Sequence, residues 1–141
     1  MYRHLKKLLT GVLSLTVLCA AAMPSMALDG TGNVASVDGQ EYATVQEAIN
    51  NGNGKTVTLL DDAKENVVIP EGTTVTLELG TFTLANNGAS HTITNKGTLT
   101  IQGSGKVDNE NHGKAALWNE GTAVLNGGTF DRSKEAGSSA E

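Results

Sequence analysis

The chain has 141 residues, enough for one domain, and carries 10 Lys and Arg against 15 Asp and Glu. That acidic balance argues against nucleic acid, which needs clustered basic side chains, and against an anionic membrane surface. With one cysteine, no internal disulfide framework is available, so stability must come from packing and backbone ladders.

Met1 to Lys7 carries Arg3, Lys6 and Lys7, and Leu8 to Ala22 is an apolar run closed by Met23-Pro24-Ser25-Met26-Ala27. A charged start, a short apolar stretch and a small-x-small site predict a signal peptide over residues 1–27, hence a secreted or cell-surface protein. A membrane helix is the competing reading, but the run falls short of the roughly 20 residues a bilayer needs. No transmembrane segment is then expected after cleavage. Leu18, before Cys19, does not suit a lipid-anchor site. Cleavage would remove the cysteine and three basic residues, leaving seven basic against 15 acidic residues and a net charge near −8. The chain holds no Asn-x-Ser/Thr acceptor for N-glycosylation.

Residues 28–36 are Gly-rich and polar and are assigned to a flexible leader. A β-domain is expected over 37–132, opening with a strand and turn around Asp38-Gly39. Thr44-Val45-Gln46-Glu47 fits a capping box, and Val45, Ala48 and Ile49 share one helical face, so a capping helix is expected over 44–51. Gly52 is read as its left-handed terminator. Two turns cannot stand alone in water, so this helix must lie on the first coil of the adjoining β-domain.

From Lys55 the pattern turns to short alternating strands. Thr56-Val57-Thr58-Leu59 overlies Thr81-Phe82-Thr83-Leu84 and reads as the last strand of a leading coil. Strands are then expected in threes: 67–69, 74–79 and 81–84; 92–94, 98–102 and 106–108; 115–118, 122–125 and 129–131. A constant offset of 24 aligns Ile69/Ile93/Leu117, Thr74/Thr98/Thr122, Val75/Leu99/Ala123 and Leu77/Ile101/Leu125. Three strands per 24-residue coil, Gly-containing corners and inward aliphatic rows predict an all-β chain: a right-handed parallel β-helix, or solenoid, of about three coils. An antiparallel sandwich is the competitor, but it has no need of equally spaced corners. Thr74/Thr98/Thr122 and Asn95/Asn119 are expected to form outward polar ladders.

Tyr42-Ala43-Thr44-Val45-Gln46-Glu47-Ala48-Ile49, then Thr-Val-Thr-Leu and the repeated Asn-x-Gly-Thr-Leu-Thr-Ile phrase, resemble the pectin-lyase-like β-helix superfamily. More narrowly, they are similar to repeat-rich secreted or surface β-helix proteins of Gram-positive gut bacteria. The resemblance covers roughly Val37 to Arg132. It implies a fold and leaves activity open, because that superfamily mixes lyases, hydrolases, esterases and adhesins.

A polysaccharide-cleaving β-helix needs carboxylates at matching positions in successive coils, two of them for hydrolysis. Offset 24 aligns threonines instead, so no catalytic site is expected in this stretch. Asp61-Asp62 reads as an exposed corner. Asp108, Glu110 and His112 alternate, and would face one way if extended, so they are the candidate metal site, with Ca²⁺ the only cofactor considered. Their spacing misses the calcium-loop pattern, and an exposed loop is the competing reading. His91 is placed at a strand edge, Phe82 and Phe130 in an inward stack, and Arg132 outside any basic row. Trp118, just past the inward Leu117, is expected on the rim as a platform for a sugar ring, with Asn95 and Asn119 as the other candidate ligand contacts. Residues 133–141 lack an apolar cap and read as a disordered tail or the start of another coil. The expected role is therefore a structural or binding module for polysaccharide or surface glycans. The alternatives are coil-end pairing with another chain, or the N-terminal part of a polysaccharide lyase or glycoside hydrolase with catalytic coils beyond residue 141.

Overall fold

A computed structural model describes residues 32–111 and 113–133. The expected signal peptide, most of the leader, His112 and the tail beyond Ser133 lie outside the described residues. No helix among those described is long and apolar enough to cross a membrane.

The chain enters through an antiparallel hairpin, β1 (Ala35–Val37) and β2 (Gln40–Tyr42). Asp38 and Gly39 both hold positive φ, 52° and 85°, the geometry a two-residue turn needs to match strand twist. Ala35 and Ser36 thus belong to a strand and not to the leader, and Ala35 is fully buried.

Helix α1 (Val45–Asn50) buries Val45, Ala48 and Ile49, the face its apolar spacing specifies. Thr44 Oγ1 accepts from the Glu47 amide at 3.0 Å, half of the expected capping box. The other half differs: Thr44 Oγ1 donates to the Glu47 carboxylate at 3.1 Å. Glu65 satisfies the remaining first-turn donors, its two oxygens accepting from the amides of Val45 (3.0 Å) and Gln46 (2.9 Å). Gly52 is not left-handed; that conformation falls to Gly54 (φ 77°). Gly52 is needed for space, since a Cβ would stand 2.8 Å from Val57 Cγ2 and 2.9 Å from the Ala48 carbonyl.

After α1 the chain winds into a parallel solenoid of about three turns, its strands lying on three sheets. The first sheet takes β3 (Lys55–Leu59), β6 (Thr74–Glu78), β9 (Thr98–Gln102) and β12 (Thr122–Leu125), with β1 and β2 added antiparallel beyond β3. The second takes β4 (Ala63–Lys64), β7 (Thr83–Ala85), β10 (Lys106–Asp108) and β13 (Thr129–Asp131). The third takes β5 (Val67–Ile69), β8 (Ile93–Asn95) and β11 (Leu117–Asn119). Inward rows fill the lumen: Val57/Leu77/Ile101/Leu125 and Val75/Leu99/Ala123 from the first sheet, Ala63/Leu84/Val107/Phe130 from the second, Val67/Ile93/Leu117 from the third. Interior members such as Leu77, Ile101 and Ile93 are fully buried, a gain of about 1.5–3 kcal/mol each.

The offset of 24 holds where the phrase repeats, in Thr74↔Thr98↔Thr122. Elsewhere three registers differ from expectation. Strand β3 pairs with β6 (Val57↔Leu77), not with β7, and the partner of β7 is the unforeseen β4. In the second sheet β7, β10 and β13 are offset by 23, which puts Leu84, not Phe82, in the row of Phe130. In the third sheet Ile69 sits beside Asn95 and Val67 beside Ile93. The corner Pro70-Glu71-Gly72-Thr73 is two residues longer than Lys96-Gly97, and a two-residue slip keeps every side chain on its own face.

Candidate functional site

The third sheet presents the outward row Val68, Thr94 and Trp118. Alternation along β11 turns Leu117 inward and therefore Trp118 out, where it is 48% exposed. His91, just ahead of β8, stacks on the Trp118 ring with centroids 4.8 Å apart and an interplanar angle of 20°. His91 Nδ1 accepts from the Ala115 amide at 3.0 Å, which fixes the ring between two coils. A neutral imidazole accepting at Nδ1 carries its hydrogen on Nε2, so Nε2–H is the donor offered beside the indole. Burial lowers the His91 pKa from its ordinary value, Lys114 lowers it further, and Glu120 opposes both. Glu120 in turn lies 3.9 Å from Lys96. The result is a half-exposed indole, one face partly covered by the imidazole, with polar and charged groups around it. Such a surface can take the apolar face of a pyranose while donors and acceptors reach its hydroxyls. The stack escapes sequence reasoning because it joins residues 27 apart, although His91 and the Ala115 amide it accepts from are 24 apart, on the repeat's offset.

The other expected ligand contacts are placed differently. Asn95 does not belong to an outward ladder: it is 0% exposed and turned inward at a corner. Its Nδ2 donates to Asn119 Oδ1 (2.7 Å) and the Thr122 carbonyl (2.8 Å), and its Oδ1 accepts from the Gly97 amide (3.1 Å). Asn119 is exposed and donates to the Gly121 carbonyl at 3.0 Å. The amide pair therefore splices corners together, and Asn95 has no surface left for a ligand.

Among the candidate metal residues, Glu110 pairs with Lys64 at 2.8 Å, whereas Asp108 is 4% exposed and accepts from the Ser133 amide at 3.0 Å. Burial raises the Asp108 pKa, but the Ser133 amide and hydroxyl and then Lys106 outweigh it and hold the carboxyl below its ordinary value. His112 lies outside the described residues. Among the residues described, no group of three or more His, Cys, Asp and Glu stands close enough to hold a metal ion. Asp62 extends a ladder by accepting from the Thr83 amide at 2.8 Å, and Asp61 accepts from the Asp62 amide at 2.8 Å.

Carboxylates do stack in register, since Asp108 lies beside Asp131 in neighbouring strands, with Lys106 Nζ 3.6 Å from a carboxylate oxygen of each. The expected strands 106–108 and 129–131 already end on these two residues; only a search confined to the offset of 24 passes over them.

No protein-family model, curated protein or solved structure gives a match to this chain. Its function is therefore inferred from the fold and from the side chains themselves.

Proposed function

We propose that this chain is a secreted or cell-surface binding module of the pectin-lyase-like, right-handed parallel β-helix type, with α1 as its N-terminal cap. In this reading it engages glycans through Trp118 and His91. The observation that carries it is the exposed Trp118 indole on a sheet face, stacked on a half-buried His91 that a coil-to-coil hydrogen bond anchors. Preorganised aromatic platforms lose little conformational entropy on binding, which suits a ligand with few strong contacts. The net negative charge disfavours polyanionic polymers, so neutral or amino sugars are the expected class. Export is supported by the sequence pattern of residues 1–27. The capping reading of α1 is supported by Gln46, whose side-chain amide exchanges two hydrogen bonds with the edge of β5: Nε2 to the Val68 carbonyl (2.9 Å) and the Val68 amide to Oε1 (2.7 Å).

A second reading, polysaccharide cleavage, is favoured by the Asp108/Asp131 pair with Lys106. It is the weaker one, because Asp108 is nearly covered and already engaged by Ser133 and Lys106. A glycan array probed with the wild-type chain and Trp118→Ala, alongside incubation with polygalacturonate and neutral polymers, separates the two. Binding that Trp118→Ala abolishes, without product, supports the module. Product formation that Asp131→Asn abolishes supports the enzyme.

A further inference from the structure

His91 does more than back the indole. The Ala115 carbonyl, on the loop that leads into β11, is held by the Thr92 amide (3.1 Å) and by Asn109 Nδ2 (3.0 Å). The His91 ring adds a further tie, through the stack on Trp118 on one side and the Ala115 amide on the other. That second contact requires an unprotonated Nδ1. An imidazolium has a hydrogen on both nitrogens and no acceptor at all, so no flip of the ring can restore the bond to Ala115.

We propose that His91 is an acid-sensitive latch for the Trp118 platform: the neutral ring is pinned beside the indole by the Ala115 amide, and protonation breaks that bond and lets the ring and the indole beside it move. The charged groups facing the ring are Lys114, on the loop before β11, and Glu120 after it, with Glu120 also facing Lys96. Lys114 disfavours a second positive charge and Glu120 favours it. A protonated ring would gain a cation–π attraction to the indole, but at a partly exposed site that gain is small and does not replace the lost acceptor. Burial and Lys114 shift the titration below the ordinary His value, so the latch is closed at neutral pH and opens in mild acid. Its consequence for ligand capture rests on the glycan-binding reading; the latch itself does not.

The chain contains a single tryptophan, so its fluorescence reports on this site alone. Acrylamide quenching of the ligand-free protein is measured from pH 8 to pH 4, with far-UV circular dichroism at each pH to confirm that the fold persists. The expected result is a sigmoidal rise in the quenching constant with its midpoint below the ordinary His value. His91→Gln, which can accept from Ala115 but does not titrate, should abolish the rise, and His112→Asn should leave it in place. Should His91→Gln fold poorly, His91→Phe, which stacks without titrating, takes its place. A wild-type curve flat across this range, or a transition that survives replacement of His91, overturns the latch. Glycan binding at pH 7 tests the platform reading separately, and its failure would leave the quenching result standing.

Discussion

Replacing Asn95 by alanine removes three hydrogen bonds from a residue with no exposed surface. Two of the partners, the Asn119 side chain and the Thr122 carbonyl, belong to exposed residues and can turn to water. Their loss costs near the low end of the usual range, about 0.5–1 kcal/mol each. The Gly97 amide is half-buried, and leaving it unpaired adds about 1–3 kcal/mol. The expected total is about 2–5 kcal/mol, which for a unit of this size lowers the melting temperature by about 10–25 °C. Asn119→Ala, which removes its bonds to Asn95 and to the Gly121 carbonyl from an exposed position, should cost about 1 kcal/mol. The measurement is urea unfolding of both variants followed by circular dichroism. An Asn95→Ala variant as stable as Asn119→Ala would refute the idea that this corner is held by a buried amide.

Four further outcomes are expected. Gly121→Ala should destabilise by about 1–3 kcal/mol, because its Cβ would run into the Gly97 carbonyl and stand 3.0 Å from the Gly97 amide. Gly72→Ala, in open space at φ 83°, should lose only about 1–2 kcal/mol from backbone strain, and thermal melts of the pair compare the two causes. Glu65→Ala should free the amides of Val45 and Gln46 and cost about 1 kcal/mol, read as faster hydrogen exchange confined to the first turn of α1. Asp108 has a lowered pKa, so its contribution is present above the unfolded value near 4 and is lost as pH falls through the folded one. Asp108→Asn should therefore flatten that part of the stability-versus-pH curve while lowering stability at pH 7.

The inward rows are legible in the sequence because a solenoid repeats its packing, and Leu77, Ile101 and Leu125 occupy the same point of the same phrase. What escapes is set by the corners. Pro70 to Thr73 add two residues, and a period-two pattern hides a two-residue slip completely. Strand β3 escapes for a related reason: Thr-x-Thr-Leu occurs in two different sheets, and alternation alone does not say which neighbour it joins. The burial of Asn95 is hidden because an asparagine in a polar corner carries no mark of it; only its partners across the next coil give it one. The His91–Trp118 stack joins residues 27 apart, off the repeat's offset, whereas the Asp108/Asp131 pair sits at the ends of two expected strands and is missed only by a search at 24. The rim position of Trp118, by contrast, is dictated by alternation past Leu117.

Because Trp118 is the only indole in the chain, its Nε1–H resonance gives the most direct test of the proposed function. A panel of neutral and amino-sugar oligosaccharides is titrated into the labelled protein at pH 7. Glycan recognition through the platform predicts a saturable shift of that resonance together with the His91 ring signals, absent in Trp118→Ala. A panel that leaves the indole unmoved, or a ligand that binds while shifting only residues remote from β11, would contradict it.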